Sequence, residues 1–207
     1  MSQKTLAVID DDLAVRQSLL WLLETPSLAV SGFDSGERFL ALGDAAAGFN
    51  CLIVDLRMSG ISGIMLLEKL AQWPYCPPVI MLTAHGDVPH AVAAFKLGVV
   101  DFMEKPFDDA RLLALVDDCL ARDAQERERF QRRVRVADAL ATLTEREREV
   151  MHLILQGLLN KQIAEALSIS MKTVEVHRAR VFDKMGVKSA VELAGIMVVL
   201  DEAGSKA

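Results

Sequence analysis

Up to about residue 109 the chain alternates short, nearly continuous apolar runs with stretches of helical period. That alternation constrains the fold more than any other feature. The runs are Leu6-Ala7-Val8-Ile9, Cys51-Leu52-Ile53-Val54, Val79-Ile80-Met81-Leu82 and Val99-Val100-Asp101-Phe102, with a shorter one at Ala29-Val30-Ser31-Gly32-Phe33. Strands without polar interruption suit burial on both faces, the condition inside a parallel sheet. Between the runs, residues 15–24, 36–42, 65–73 and 88–97 carry amphipathic periodicity. Alternating β and α predicts an open, doubly wound α/β domain with a five-stranded parallel sheet in the order 2-1-3-4-5.

That order is flavodoxin-like, and 207 residues leave room for a second domain. A further helix is predicted from about Asp108 through Leu112, Leu113, Leu115, Val116 and Leu120. No Pro or Gly follows until Gly157, and 123–135 is a mixed-charge run of good helix formers. The expectation is a long helical linker, with a loose connector as the alternative. From Leu143 onward strand signals vanish and the chain reads as a small all-α domain of four short helices. Thr144-Glu145-Arg146-Glu147 fits a capping box ahead of the stripe Val150, Leu153, Ile154, and Gly157 suits the end of that helix. Asn160 is the predicted cap of a helix over 161–167, Ser168-Ile169-Ser170 a tight turn, and 171–185 and 190–200 the last two helices. The predicted domains are therefore 1–122, a helical linker at 123–142, and 143–207.

Net charge is −6, which taken whole argues against a chain that coats nucleic acid or anionic membrane. The distribution says more. Residues 1–122 hold 9 basic and 16 acidic side chains, whereas 160–188 hold 6 basic and 3 acidic. The acidity belongs to the first domain and the positive field to the second. Three scattered cysteines (Cys51, Cys76, Cys119) with no C-x-x-C argue for reduced, mostly buried thiols. No apolar stretch approaches the ~20 residues a bilayer span needs. Asp10-Asp11-Asp12 interrupts any leader-like segment, so a cytoplasmic protein without membrane association is expected.

In a doubly wound domain, functional groups gather at the carboxyl ends of the strands. Asp10, Asp11 and Asp12 follow the first strand, Asp55 ends the third, Thr83 the fourth, and Lys105 follows the fifth. Like charges ~4 Å apart repel by about 4 kcal/mol at a surface-like dielectric, so such a cluster calls for a cation. Oxygen donors favour Mg²⁺ (or Mn²⁺). A metal beside one exposed carboxylate, with a hydroxyl and an ammonium opposite, is suited to phosphoryl transfer. Asp55 would be the nucleophile, Lys105 would offset charge on the moving group, and Ala84 would leave room for it. The alternative is that these aspartates are helix caps and turn formers.

Residues 161–167, a three-residue turn and 171–185 have helix-turn-helix geometry. Val174, Val181 and Met185 form a core stripe with His177 and Phe182 on its flanks. The opposite face carries Lys172, Glu175, Val176, Ala179 and Arg180. Glu175 could accept from a cytosine amine, and Val176 and Ala179 could touch thymine methyls. Lys161, Lys172, Arg178, Arg180 and Lys184 suit phosphates, and Thr173 is counted with the DNA-facing set. An ordinary bundle with a solvated polar face is the alternative.

Val8-Ile9-Asp10-Asp11-Asp12, Ile53-Val54-Asp55-Leu56-Arg57-Met58, Leu82-Thr83-Ala84-His85-Gly86 and Glu104-Lys105-Pro106-Phe107 together resemble the receiver domain of two-component response regulators. Leu143-Thr144-Glu145-Arg146-Glu147, Gly157-Leu158-Leu159-Asn160-Lys161-Gln162-Ile163-Ala164 and Thr173-Val174-Glu175-Val176-His177-Arg178 resemble the LuxR-type helix-turn-helix. The order matches the NarL/FixJ group. The resemblance implies Asp55 as phosphoacceptor and Asp10 and Asp11 as the acidic pair. It implies Asp11, Asp55 and the Arg57 backbone carbonyl as direct Mg²⁺ ligands, and a cis Lys105-Pro106 peptide. It makes Thr83 and Phe102 the switch residues, and Glu175, Val176 and Ala179 the base readers. The implied activity is a phosphorylation-dependent, sequence-specific transcription regulator, not an enzyme beyond its own phosphorylation and dephosphorylation. Its implied partners are a sensor histidine kinase, double-stranded DNA and a second copy, with RNA polymerase a further candidate.

Val88, Val92 and Lys96 share one helical face and are a candidate dimer patch, the alternative being two core valines and a solvated lysine. Arg57 and His85 border the pocket, and His85 is read as a solvated loop residue. His177 is expected to be a hydrogen-bonding residue at the rim of the core. One departure concerns the loop after Asp55, where the family commonly has Met-Pro and this chain has Met58-Ser59-Gly60; a more mobile loop is expected. Two rival readings are an interaction module whose helical domain binds protein, and a phosphohydrolase. Asp55-Leu56-Arg57 lacks the Asp-x-Asp pair of the latter.

Overall fold

The computed structural model describes residues 3–84 and 94–204. The chain divides into two units, Met1–Arg127 and Glu128–Ala207. In the first, β1 (Lys4–Ile9), β2 (Leu28–Phe33), β3 (Cys51–Asp55), β4 (Val79–Ala84) and β5 (Asp101–Lys105) form one parallel sheet in the order β2-β1-β3-β4-β5.

The continuous apolar runs have the expected cause. Along β1 and β3, alternate side chains enter two separate cores. Leu6, Val8, Cys51 and Ile53 pack with Leu19 and Leu23 of α1 (Leu13–Leu23) and with Leu112, Val116 and Cys119 of α4 (Asp109–Ala141). Ala7, Ile9, Leu52 and Val54 pack with Phe39 of α2 (Gly36–Leu40) and Leu66, Leu67 and Leu70 of α3 (Gly63–Leu70). A 3₁₀ turn, Gly43–Gly48, leads back to β3. The last strand lies two residues later than its apolar signal. Val99 and Val100 lead in, and β5 itself alternates buried Met103 with exposed Glu104, as an edge strand does. Of the helix predicted over 88–97, residues 94–96 are described and helical. His85, Val88 and Val92 lie outside the described residues, and Lys96 is exposed.

α4 runs 33 residues without a break. Asp108 caps its start, its carboxylate accepting from Arg111 N at 2.8 Å. In the second unit α5 (Glu145–Leu155), α6 (Asn160–Leu167), α7 (Met171–Met185) and α8 (Ala190–Gly204) enclose a core of Val150, Ile154, Ile163, Val174, Val181 and Leu193. The capping box at α5 is present, with Thr144 and Glu147 bonding reciprocally. Gly157, at φ 82°, closes α5. Asn160 is the first residue of α6 and not its cap: Leu159 precedes the helix, and Gln162 Oε1 accepts its N–H at 2.8 Å. The turn into α7 places Ser168 at φ 53° and ends on Ser170, whose hydroxyl caps α7. Among the described residues no helix is long and apolar enough to cross a membrane.

Candidate functional site

The sheet register brings the predicted acidic residues together. Ile9 pairs with Val54, Asp55 with Leu82, and Ala84 with Lys105, so Asp10, Asp55 and Lys105 emerge side by side. Lys105 Nζ lies 2.7 Å from Asp10 Oδ2 and 2.5 Å from Asp55 Oδ1. Both carboxylates are buried, at 1% and 5% exposure. Burial raises the Asp55 carboxyl above its ordinary value, with Asp10 adding to the rise, while Lys105 and the Arg57 N–H oppose it. Burial would lower the Lys105 ammonium, but hydrogen bonds to Asp10 and Asp55 outweigh that and hold it above its ordinary value. The Lys105-Pro106 peptide is cis.

Each carboxylate also has a backbone partner. Asp10 Oδ1 accepts from Asp12 N at 2.9 Å, and Asp55 Oδ2 from Arg57 N at 2.8 Å. Asp11, exposed, accepts Ser59 N at 2.7 Å. That amide is the main cause holding Asp11 below the ordinary carboxylate range, against a burial effect that would raise it. Asp12 plays the capping role, accepting from Ala14 N and Val15 N. Two buried carboxylates share one ammonium and Asp11 adds a further negative charge beside them; every donor is oxygen, so the chemistry fits a hard divalent cation. Among the described residues no three acidic, thiol or imidazole groups are gathered as a metal site, Asp11 being turned to Ser59.

Thr83 is buried and its hydroxyl donates to the Ala84 carbonyl at 2.8 Å. Ala84 is exposed, and Phe102 is half-buried against the second core. Gly63 opens α3 directly behind the pocket, where a Cβ would collide with the Asp55 carbonyl oxygen. Only glycine fits there without moving Asp55.

In the second unit, α7 buries Val174, Val181 and Met185. Lys172, Thr173, Glu175, Val176, Ala179 and Arg180 are exposed on its other side, as is Lys161 on α6. Val176 is 45% exposed despite being apolar. Arg178 is half-buried and lays its guanidinium over the Phe182 ring at 5.4 Å. Lys184 stands apart from the predicted phosphate contacts. Its ammonium donates to Glu147 Oε2 at 2.7 Å and to the Thr142 carbonyl at 2.9 Å.

Residues 6–117 match the family described as response regulator receiver domain. Residues 141–197 match the luxR family of bacterial regulatory proteins. The transcriptional regulatory protein FixJ of Azorhizobium caulinodans is 47% identical over 186 residues, covering 90% of this chain and 88% of that protein. The chain is a two-component response regulator of the NarL/FixJ group. The C4-dicarboxylate transport transcriptional regulatory protein DctR of Rhodobacter capsulatus is 44% identical over 92% of this chain and 97% of its own. The solved structure of the response regulator StyR is 36% identical, with a TM-score of 0.82 over 95% of this chain and 98% of that one. Receiver and LuxR-type units in this order make the regulator a phosphorylation-dependent transcription regulator.

Some of the regulator's residues escape sequence reasoning. Arg16 donates to the Asp10 carbonyl at 2.6 Å, and Glu37 accepts from Ile61 N at 2.9 Å. The loop after Asp55 is bonded at both Ser59 and Ile61, whose N–H groups donate to Asp11 and Glu37. Neither contact leaves a periodic signal. His177 lies half-buried at the rim of the core, as expected, but its buried Nδ1 has no hydrogen-bond partner among the described residues.

Proposed function

We propose that Asp55 is the phosphoacceptor of this response regulator and that a sensor histidine kinase is its donor. The single observation that carries this is the Lys105 ammonium held between the buried carboxylates of Asp10 and Asp55. In the transfer, an Asp55 oxygen bonds to phosphorus while the donor's P–N bond breaks. The imidazole leaves with that electron pair and takes up a proton. Lys105 stays against the new phosphoryl oxygens, offsetting charge that Asp55 alone did not carry. The Arg57 N–H orients the Asp55 carboxylate. Asp10, Asp11, Asp55 and the Arg57 carbonyl would hold Mg²⁺ (or Mn²⁺), which supplies electrostatic stabilisation of the phosphoryl group. Hydrolysis of the aspartyl phosphate at the same site completes the only chemistry the protein performs.

Thr83 turns from the Ala84 carbonyl toward the phosphoryl oxygens, Ala84 leaves them room, and Phe102 follows inward. This is a packing change triggered by about two added negative charges. The receiver comprises residues 1–127, a helical linker 128–142, and the DNA reader 143–207. Glu175, Val176 and Ala179 read base edges, while Lys161, Lys172, Thr173, Arg178 and Arg180 position the backbone. Phosphorylation brings two copies together on two half-sites, a surface including Lys96 taking part, and RNA polymerase is contacted at the bound promoter.

Labelling with acetyl phosphate tests the acceptor. The wild-type protein is expected to gain one acid-stable, base-labile phosphoryl group on the peptide containing Asp55, and Asp55→Asn none, with its circular dichroism unchanged. Undiminished labelling of Asp55→Asn would remove Asp55 from the role.

A further inference from the structure

All three pocket carboxylates are satisfied from within the chain, but unequally. Asp10 and Asp55 are buried and share Lys105, whereas Asp11 is exposed and depends on a loop residue. That residue is Ser59, whose N–H donates to Asp11 Oδ2 at 2.7 Å. A proline at 59 would have no N–H to donate, whereas an alanine would keep it. The loop is itself anchored from α2, through Glu37 and the Ile61 N–H, so Ser59 is presented to Asp11 by a tethered segment. With Asp11 so engaged, the acidic side chains do not converge as a metal site.

We propose that Ser59 is a positioning residue that holds Asp11 away from the other carboxylates, so that its N–H competes with a divalent cation for Asp11. This rests on the reading of Asp11 as a metal ligand. The consequence is a site whose cation affinity is set by a residue that never touches the cation. Loading requires the Ser59–Asp11 bond to open. A charge-assisted bond in a solvent-accessible setting is modest, so the restraint weakens cation binding without abolishing it.

The test is calorimetric titration of Mg²⁺ into the full-length wild-type protein, Ser59→Ala and Ser59→Pro, with amide hydrogen exchange at Ser59 followed in the wild type. Loss of the N–H in Ser59→Pro is expected to tighten the Mg²⁺ dissociation constant about 5-fold, whereas Ser59→Ala, which keeps the N–H, is expected to bind Mg²⁺ as the wild type does. The Ser59 amide is expected to exchange faster in the Mg²⁺-saturated protein, which a purely structural hydrogen bond would not do. Should Ser59→Pro fail to fold, the exchange measurement decides. Mg²⁺ binding that is equal or weaker in Ser59→Pro, with Ser59 exchange unaffected by the cation, overturns the competition and leaves the metal reading standing. Absence of Mg²⁺ binding to the wild type overturns both.

Discussion

Replacing Lys184 by Met separates a structural lysine from a DNA-binding one. Position and charge place Lys184 at the basic end of the reader helix, but its ammonium is committed to Glu147 at 2.7 Å and to the Thr142 carbonyl at 2.9 Å. Glu147 is 3% exposed, and its carboxyl is held down to about 2, first by the hydrogen bond from Lys184 and then by the Thr144 backbone. Lys184→Met removes the counter-charge and leaves the carboxylate buried. Uncompensated buried charges cost about 3–5 kcal/mol, but Glu147 keeps the Thr144 N–H at 2.9 Å, so about 2 kcal/mol is expected. For a unit of this size that corresponds to a melting temperature lower by about 10 °C. Because the full chain has two units, native-state amide exchange at Val150, Val174 and Val181 is the appropriate assay. A depressed carboxyl contributes stability above its unfolded value and loses it as pH falls. The difference between wild type and variant should therefore be complete above the ordinary glutamate value of 4.5 and vanish as pH falls toward about 2. The salt dependence of DNA binding should not change. Unaltered exchange together with a salt slope shallower by about 0.9, the signature of one lost phosphate contact, would refute the structural role.

Gly63→Ala is expected to destabilise the receiver by about 1–3 kcal/mol in thermal unfolding and to slow acetyl-phosphate labelling, because its Cβ collides with the Asp55 carbonyl; wild-type melting and labelling would contradict the close approach. Arg180→Ala, at an exposed position of α7, is expected to weaken binding to every DNA sequence alike and to flatten the salt slope by about 0.9, measured by fluorescence anisotropy across salt concentrations. Val176→Ser should instead lower the preference between sites by about 1–3 kcal/mol at one base step while leaving the slope intact, checked by competition with base-substituted duplexes.

The strands at the centre of the sheet were legible because β1 and β3 put alternate apolar residues into two different cores, leaving no polar gap in Leu6–Ile9 or Cys51–Val54. The edge strand β5 was displaced because Met103 alone of its five residues is fully buried, and the preceding Val99-Val100 pair carried a stronger apolar signal. The pocket was legible because strand ends are fixed points of such a fold, so the strand order alone brings Asp10, Asp55 and Lys105 together. What periodicity could not convey was partnership across the chain. Asp123 begins the mixed-charge run expected to be a helical linker, yet it is 1% exposed, binding Asn50 Nδ2 at 2.7 Å, the Tyr75 hydroxyl at 2.5 Å and the Arg127 guanidinium at 3.0 Å. Arg127 in turn donates to the Ala47 and Phe49 carbonyls, so the first unit extends to that residue. Lys184 and Ser59 failed for the same reason: their partners lie 37 and 48 residues away and share no repeat with them.

Genome-wide DNA protection by the wild-type protein and by Asp55→Asn, each with and without acetyl phosphate and Mg²⁺, bears most directly on the claim that a phosphoryl group on Asp55 controls DNA binding. The expected result is a set of paired half-sites protected at lower protein concentration only when wild-type protein receives the phosphodonor. Equal protection by both proteins, indifferent to the donor, would contradict it.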